Sequence, residues 1–306
     1  MIVVLMFAGI LACNQFIGIF YKSFSALSAG DKKAAPVFMA VWTGMLGAAL
    51  FLTAVMLNRK FTPSAATWVA ALFGGLSFVS AGLLYIRILS FGPFIWSVLM
   101  MNLSNFVPVV FSLIFLKESI SLPQIIGVTV ILSILFVMSV KSKSGDRPFT
   151  TKWMLLALAV MLTNGGIFST QKIQSYYMNG AQTLEYLALL FLFTSLFAAG
   201  CHALHALHAL AGNKKMPGER LRQLNVRPFL LLAVAMAAAI GVSNLLGMIL
   251  MRHITAAVQF PVIIGGGTIL SAFIGVKLYK ENPGWRLYLS VFMLIAGITL
   301  LGMGMG

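Results

Sequence analysis

Charge of either sign is scarce in this chain, and acidic residues are the scarcest of all. Only 6 of its 306 residues are Asp or Glu, and charged residues together make up 9% of the sequence. A soluble globular domain carries roughly 25% charged residues. The composition therefore excludes a water-soluble fold.

Cysteine is nearly absent, and the few metal-binding side chains are badly spaced. Cys13 and Cys201 fall in different predicted helices, so they define neither a disulfide framework nor a metal site. His202, His205 and His208 recur every third residue, which rotates successive side chains by about 60° around a helix. They are poorly oriented to share one ion, and we expect no metal and no other cofactor.

The chain is instead rich in long apolar runs. Hydrophobic residues make up 60% of it, and the mean hydropathy is +0.99. A membrane helix needs about 20 mostly apolar residues. We expect an all-α integral membrane protein with no sizeable soluble domain, and the segment after Ile2 is interpreted as its first helix rather than a cleaved signal. The predicted spans are ten: 2–21, 36–57, 67–88, 93–116, 121–140, 152–173, 183–208, 228–250, 256–278 and 285–304.

Basic residues outnumber acidic ones, which gives a formal net charge of +15. Because they lie in the short connections between apolar runs, the expected partner is a bilayer with anionic headgroups and not a nucleic acid. Sixteen of the 21 Lys and Arg residues lie in the odd-numbered connections. The positive-inside rule then predicts that both termini lie outside.

Two five-span halves, 1–148 and 149–306, resemble each other. Leu116-Lys117-Glu118 precedes the last span of the first half, and Tyr279-Lys280-Glu281 does the same in the second, 163 residues later. Asn14 and Lys22 correspond to Asn164 and Lys172 at a shift of 150. Since each half has an odd number of spans, the two copies must insert in opposite orientations. Such inverted repeats are typical of secondary transporters, whose substrate site lies where the repeats meet.

The two Lys-Glu junctions, each before a final apolar helix, and the Pro-containing fourth span resemble the drug/metabolite transporter superfamily, in its ten-helix EamA-like branch. The resemblance covers the whole chain. It implies an alternating-access transporter in the cell membrane, most naturally the cytoplasmic membrane of a bacterium, and termini inside, opposite to the charge rule. It does not specify the substrate. The second half departs from the pattern, because Gly265 to Gly267 stand in the ninth span and no Pro matches Pro108.

Polar side chains inside predicted spans are the candidate substrate contacts, because an unpaired polar group in hydrocarbon is costly. Asn14, Gly18 and Tyr21 share one helix face, and Asn164 and Gln171 recur with the same spacing in the sixth span. Hydrogen bonding between helices is the competing explanation. The candidates are Asn14, Gln15, Tyr85, Trp96, Asn102, Asn105, Asn164, Gln171, Glu185, Asn244 and Gln259.

Glu185 is the single acidic residue inside a predicted span. Facing a cavity, it would attract a cation together with aromatic rings, or bind a coupling proton. The sequence therefore favours an organic cation or amino-acid-like substrate. At the start of the seventh span, the helix dipole favours an acid without any function. Lys22 and Lys172 would suit an anionic or sugar-nucleotide substrate, although lysines at helix ends ordinarily reach towards headgroups.

Other classes of membrane protein need features that the sequence lacks. An enzyme in the bilayer requires paired catalytic groups, and none is present, so no catalytic residue is predicted. A channel requires a repeated polar pore lining, and a scaffold subunit does not require polar residues mirrored in both halves. We therefore expect a transporter that takes a small polar metabolite, by proton coupling or by exchange of substrates.

Overall fold

The chain is all-helical. A computed structural model describes residues 2–27, 34–58, 60–92, 94–104, 106–115, 121–139, 150–178, 182–211, 226–250, 256–280 and 284–303. These residues form eleven helices and no strand, which confirms the all-α prediction. The helices are α1 (Ile2–Leu27), α2 (Ala35–Asn58), α3 (Ala65–Phe91), α4 (Phe94–Leu103), α5 (Phe106–Phe115), α6 (Leu122–Ser139), α7 (Thr151–Met178), α8 (Thr183–Ala211), α9 (Val226–Leu250), α10 (Ala256–Tyr279) and α11 (Gly284–Met303).

Six of these helices, α1, α2, α3, α7, α8 and α9, are long and apolar enough to cross a membrane. They have 24 to 29 residues, so each is about 36–44 Å long and exceeds the hydrocarbon thickness of about 30 Å. Large apolar side chains such as Phe16, Met56 and Leu231 are exposed on them. Such helices are those of an integral membrane protein.

The fourth predicted span, 93–116, is not one continuous helix. α4 ends at Leu103 and α5 begins at Phe106. Pro108 explains the break, because it has no N–H to donate to the carbonyl of Ser104 and its ring would collide with that carbonyl in a helix. The Ser104 carbonyl instead accepts a hydrogen bond from the backbone N–H of Val107, at 3.0 Å. The backbone is therefore interrupted in the middle of this span.

The long helices pack as two groups of three. α1 and α2 pack with α9, α3 packs with α7 and α8, and α2 joins the groups by packing along α8. Small residues permit this last contact: a Cβ at Gly47 would lie 2.9 Å from the backbone nitrogen of Leu192, and the hydroxyl of Ser195 donates to the carbonyl of Ala40 at 2.8 Å. Outside the groups, α6 packs against α11, and α10 contacts α1, α4 and α11.

The two ends of the helix bundle can be named by residues that close them. At the Lys22 end, the Nζ of Lys22 in α1 donates to the carbonyl of Leu89, near the end of α3. At the opposite Ser64 end, the Oε1 of Gln182 accepts a hydrogen bond from the backbone N–H of Ser64, so α3 and α8 begin side by side. Both helices therefore run towards the Lys22 end. α7 ends at the Ser64 end, where Met178 accepts from Ser64.

Several residues used in the sequence analysis lie outside the described residues. They include Leu116, Lys117 and Glu118 of the first junction, Glu281 of the second, and the connections 140–149 and 212–225. The count of ten spans and the division at residue 148 therefore stay predictions.

Candidate functional site

A cavity of about 210 Å³ lies between the two groups of helices. Its walls come from α1 and α9 of one group, α3 and α7 of the other, and from α4 and α10. This volume is somewhat below the roughly 300–1,000 Å³ of pockets for drug-sized ligands, so it suits a small metabolite. The polar residues that line it are Asn14, Gln15, Tyr21, Tyr85, Asn164, Gln171, Ser243 and Asn244.

Amide side chains on both sides of the cavity are held by one hydrogen bond each, which leaves part of each amide available. The hydroxyl of Ser243 donates to the Oδ1 of Asn14 at 2.7 Å, and the Nδ2 of Asn164 donates to the hydroxyl of Ser104. The Nε2 of Gln171 donates to the Oδ1 of Asn244 at 3.3 Å. Within the described residues, the nitrogen of Asn14 and the oxygens of Asn164 and Gln171 keep no protein partner. The cavity thus offers a donor and acceptors to a solute.

Gln15 and Asn244 line the cavity but use both ends of their amides within the protein. The Nε2 of Gln15 donates to the carbonyl of Gly267 at 3.0 Å, and its Oε1 accepts from Ser271 at 2.9 Å. The Nδ2 of Asn244 donates to the carbonyl of Ile240 at 2.9 Å. Gln15 is therefore explained by hydrogen bonding between helices, because its amide connects α1 to α10.

Aromatic side chains form the wall nearest the Lys22 end. Tyr21 and Tyr85 meet edge to face with their ring centroids 5.4 Å apart. Their hydroxyls lie against glycines: a Cβ at Gly82 would be 3.2 Å from the Tyr21 hydroxyl, and one at Gly18 would be 3.8 Å from that of Tyr85. Neither hydroxyl has a hydrogen-bond partner among the described residues, so both are further donors for a bound solute.

Phe78 and Phe168 add apolar surface to the same cavity. Phe78 packs against the buried ring of Trp42, with centroids 5.8 Å apart, and against Phe191 at 5.3 Å. This wall is therefore fixed from behind by the contact between α2, α3 and α8. A cavity lined by both aromatic rings and amides suits a solute with an apolar part and a polar part.

The structure brings together six of the eleven residues predicted from the sequence: Asn14, Gln15, Tyr85, Asn164, Gln171 and Asn244. Trp96 is buried on α4 and does not line the cavity. Asn105 lies outside the described residues, as do the side chains of Asn102 and Gln259. Whether any of the eleven binds substrate stays a prediction.

Glu185 is also absent from the cavity wall. It is buried, with 7% of its surface exposed, in the first turn of α8 near the Ser64 end. Its location matches the alternative in which the helix dipole favours an acid. The helix begins at Thr183, and Gln182 precedes it in the left-handed region with φ 59°.

Sequence reasoning missed the part played by Tyr21 and Ser104. Tyr21 was placed on the correct face of α1, seven residues from Asn14, but it was not chosen as a candidate. Ser104 holds Asn164 in position, and the signal that could have revealed it is Pro108, four residues later, which predicts a disturbed helix at that point.

Comparisons with known proteins define the fold and leave the function open. No protein-family model matches the chain, and no curated protein matches it. A solved structure described as "Crystal structure of protein" has a TM-score of 0.56 and 16% sequence identity, and the match covers 96% of this chain and 96% of that one. The arrangement of helices along nearly the entire chain is therefore one already seen in a solved structure.

Proposed function

We propose that the protein is a secondary transporter that carries a small polar solute across a membrane by alternating access. The observation that carries this proposal is the cavity, which lies inside a bundle of long apolar helices and is lined by amide side chains from both halves of the chain. Amides are expensive to keep in a membrane interior, so their convergence on one cavity favours a binding site.

The packing of the helices supports two inverted repeats. If the repeats are equivalent, α1 corresponds to α7, α2 to α8 and α3 to α9. The contact between α1 and α9 should then have a counterpart between α7 and α3, and both contacts are present. Three further contacts each join a helix to its own counterpart, as this equivalence allows: α2 with α8, α6 with α11 and α4 with α10. On this proposal α4 and α5 together are the counterpart of α10, the repeats are 1–148 and 149–306, and Asn14 and Asn164 are equivalent residues.

We further propose that the chain is a distant member of the EamA-like branch of the drug/metabolite transporters, residing in a bacterial cytoplasmic membrane. The supporting features are the two Lys-Glu junctions and the equivalence of the packed helices. A carrier of this kind moves its solute by proton coupling or by exchange.

The cavity favours an uncharged polar solute. Its lining, among the described residues, contains amides, hydroxyls and aromatic rings but no charged side chain. The preference for a cation rested on Glu185, and the alternative preference for an anion rested on Lys22 and Lys172; none of the three lines the cavity. An amino-acid-like solute would have to be held by the dipoles of these amides and hydroxyls alone.

A ligand screen on the detergent-purified protein tests this proposal. Amines, amino acids, sugar phosphates and uncharged solutes such as nucleosides are added separately, and the unfolding temperature is measured, because a ligand that binds the folded state raises it. We expect stabilisation by an uncharged solute. That solute should then enter proteoliposomes with saturation, and unlabelled solute on the far side should accelerate its entry. Entry without saturation or exchange would indicate a channel, and stabilisation by amines alone would restore the cation hypothesis.

A further inference from the structure

Lys22 connects the ends of three helices at one end of the cavity. Its Nζ donates to the carbonyl of Leu89 at 3.3 Å and lies 5.5 Å from the centroid of the Tyr279 ring. Leu89 is in the last turn of α3, where carbonyls have no partner within the helix. Tyr279 is the last residue of α10. The ammonium group of Lys22 thus donates a hydrogen bond to one terminal carbonyl of α3 and contacts α10 through a cation–π interaction.

Aromatic rings fill the space between Lys22 and the cavity. The fully buried ring of Phe94 lies 4.9 Å from that of Tyr279, centroid to centroid. On its other side, Phe94 would be 3.2 Å from a Cβ at Gly18, a residue that lines the cavity. Tyr21 and Tyr85 meet edge to face, and the Tyr85 hydroxyl also lies beside Gly18. Lys22 and these rings therefore hold α1 against α3 and α10 at this end of the cavity.

The Ser64 end of the cavity is built from the equivalent helices. α7 and α9 correspond to α1 and α3, and the hydrogen bond of Gln171 to Asn244, at 3.3 Å, connects them. Within the described residues, α1 packs against α3 more extensively than α7 packs against α9, whereas α7 packs against α5 more extensively than α1 packs against α10.

We infer that Lys22 is a latch that closes its own end of the cavity in the present conformation and must release when that end opens. The inference rests on the proposed function, since it assumes that the cavity opens alternately at its two ends. It gives Lys22 a role in setting which end of the cavity is open. Lys22 is not required to touch the solute.

Labelling of cysteines from the two faces of a membrane tests the latch without using a substrate. In a chain with Cys13→Ala and Cys201→Ala, a reporter is introduced as Ala81→Cys or Ile263→Cys, both at positions lining the cavity. Sealed vesicles of both orientations are treated with a membrane-impermeant methanethiosulfonate. A separate His208→Cys, exposed near the end of α8, identifies the face on which the Lys22 end lies.

The measured quantity is the labelling rate from the Lys22 end divided by that from the Ser64 end. Lys22→Met should raise this ratio roughly two- to fivefold, as expected when one cation–π contact is lost from one of two conformations. Tyr279→Leu removes the ring under the ammonium group and should act in the direction of Lys22→Met, which guards against misfolding of a single variant.

Lys277→Met is the matched control. The Nζ of Lys277 lies 5.9 Å from the centroid of Phe273, so this pair has the same chemistry within one helix and joins no two helices. It should leave the ratio unchanged. The inference is overturned if Lys22→Met has no more effect than Lys277→Met, or if Tyr279→Leu shifts the ratio in the direction opposite to Lys22→Met.

Failure of the latch and failure of the transporter proposal give different results. An unchanged ratio in a protein that still exchanges a solute in proteoliposomes refutes the latch alone. A ratio that shifts as expected, in a protein that carries none of the solutes tested, supports the latch and counts against the proposed substrate class.

Discussion

The hydroxyl of Ser243 donates a hydrogen bond of 2.7 Å to the Oδ1 of Asn14, and this bond fixes which end of the Asn14 amide faces the cavity. Because the oxygen is occupied, the Nδ2 is the atom left for a solute. The next residue, Gln15, is also an amide and also lines the cavity, but both of its polar atoms are bonded to α10. Two adjacent amides of α1 therefore have different tasks.

Substitution of Asn14 should affect ligand binding more than stability. Asn14→Ala removes one interhelical hydrogen bond, worth about 0.6 kcal/mol in membrane proteins, together with the free Nδ2 donor. We expect the unfolding temperature without ligand to fall little, and the rise produced by the best ligand of the screen to be largely lost. Thermal unfolding with and without that ligand measures both effects.

Gln15→Ala is the matched comparison and should give the reverse pattern. It removes two hydrogen bonds between α1 and α10 from a buried position, so unfolding without ligand should occur at a clearly lower temperature, for a cost of about 1–2 kcal/mol. The ligand should still raise the unfolding temperature. Equal loss of ligand response in both variants would show that the two amides are not divided in this way.

Gly165 should tolerate no side chain. A Cβ there would overlap the Cβ of Val107 and lie 2.8 Å from the carbonyl oxygen of Ser104, so Gly165→Ala would push α7 away from the break between α4 and α5. Overpacking of this kind costs about 1–3 kcal/mol, and we expect the upper part of that range because a β-branched side chain and a backbone oxygen cannot move aside easily.

Gly200→Ala is the control for this effect. Gly200 also lies inside a long helix, but nothing lies within 4 Å of the position that a Cβ would occupy. Since Ala favours a helix more than Gly does, the unfolding temperature should stay the same or rise slightly. A similar loss of stability in both variants would place the cause in the helices themselves and not in the packing at Val107.

Much of the fold follows from the sequence because it depends on local composition. The apolar run after Ile2 and those that contain Trp42 and Asn164 became long helices, since a backbone in hydrocarbon must satisfy its own hydrogen bonds. The break at Ser104 was not predicted, although its cause, Pro108, is visible in the sequence. Apolar periodicity alone does not distinguish one helix from two short helices in the same span.

The cavity was predicted in part because its amides are rare inside apolar helices. Asn14 and Asn164 were found by this rarity and by their spacing of 150 residues. The division of tasks between Asn14 and Gln15 was not predictable, because it depends on Ser243 and Gly267, which are more than 200 residues away along the chain. Glu185 was singled out by its charge, and its place in the first turn of a helix was one of the two alternatives that the sequence offered. Its absence from the cavity wall was not predictable, because it depends on how α8 packs against the other helices.

Neutralising Glu185 should change stability and leave ligand recognition intact. Glu185→Gln removes a negative charge from the first turn of α8, where the helix dipole favours it by about 0.3–1 kcal/mol. We expect a small fall in unfolding temperature and the same ligand-induced rise as in the unsubstituted protein. If a stabilising amine ceased to act only in Glu185→Gln, the carboxylate would belong to the binding site after all.

Gln182 should stabilise the Ser64 end through its side chain. Its Oε1 accepts hydrogen bonds from the backbone N–H of Ser64 at 2.9 Å and from the hydroxyl of Thr67 at 2.8 Å, which ties the start of α3 to the start of α8. We expect Gln182→Ala and Thr67→Val each to lower the free energy of unfolding. The double variant should lose less than the sum of the two, by about 0.5–1.5 kcal/mol.

Gln182→Gly separates the hydrogen bonds from the backbone conformation of the same residue. Gln182 has φ 59°, in the left-handed region that costs a non-glycine residue roughly 1–2 kcal/mol. Gln182→Ala removes the side-chain hydrogen bonds and keeps the backbone strain. Gln182→Gly removes the hydrogen bonds and most of the strain. Gln182→Gly should therefore unfold at a higher temperature than Gln182→Ala. Additive losses in the double variant would mean that the hydrogen bond between Thr67 and Gln182 contributes nothing measurable. A glycine variant no more stable than the alanine one would mean the same of the strain at Gln182.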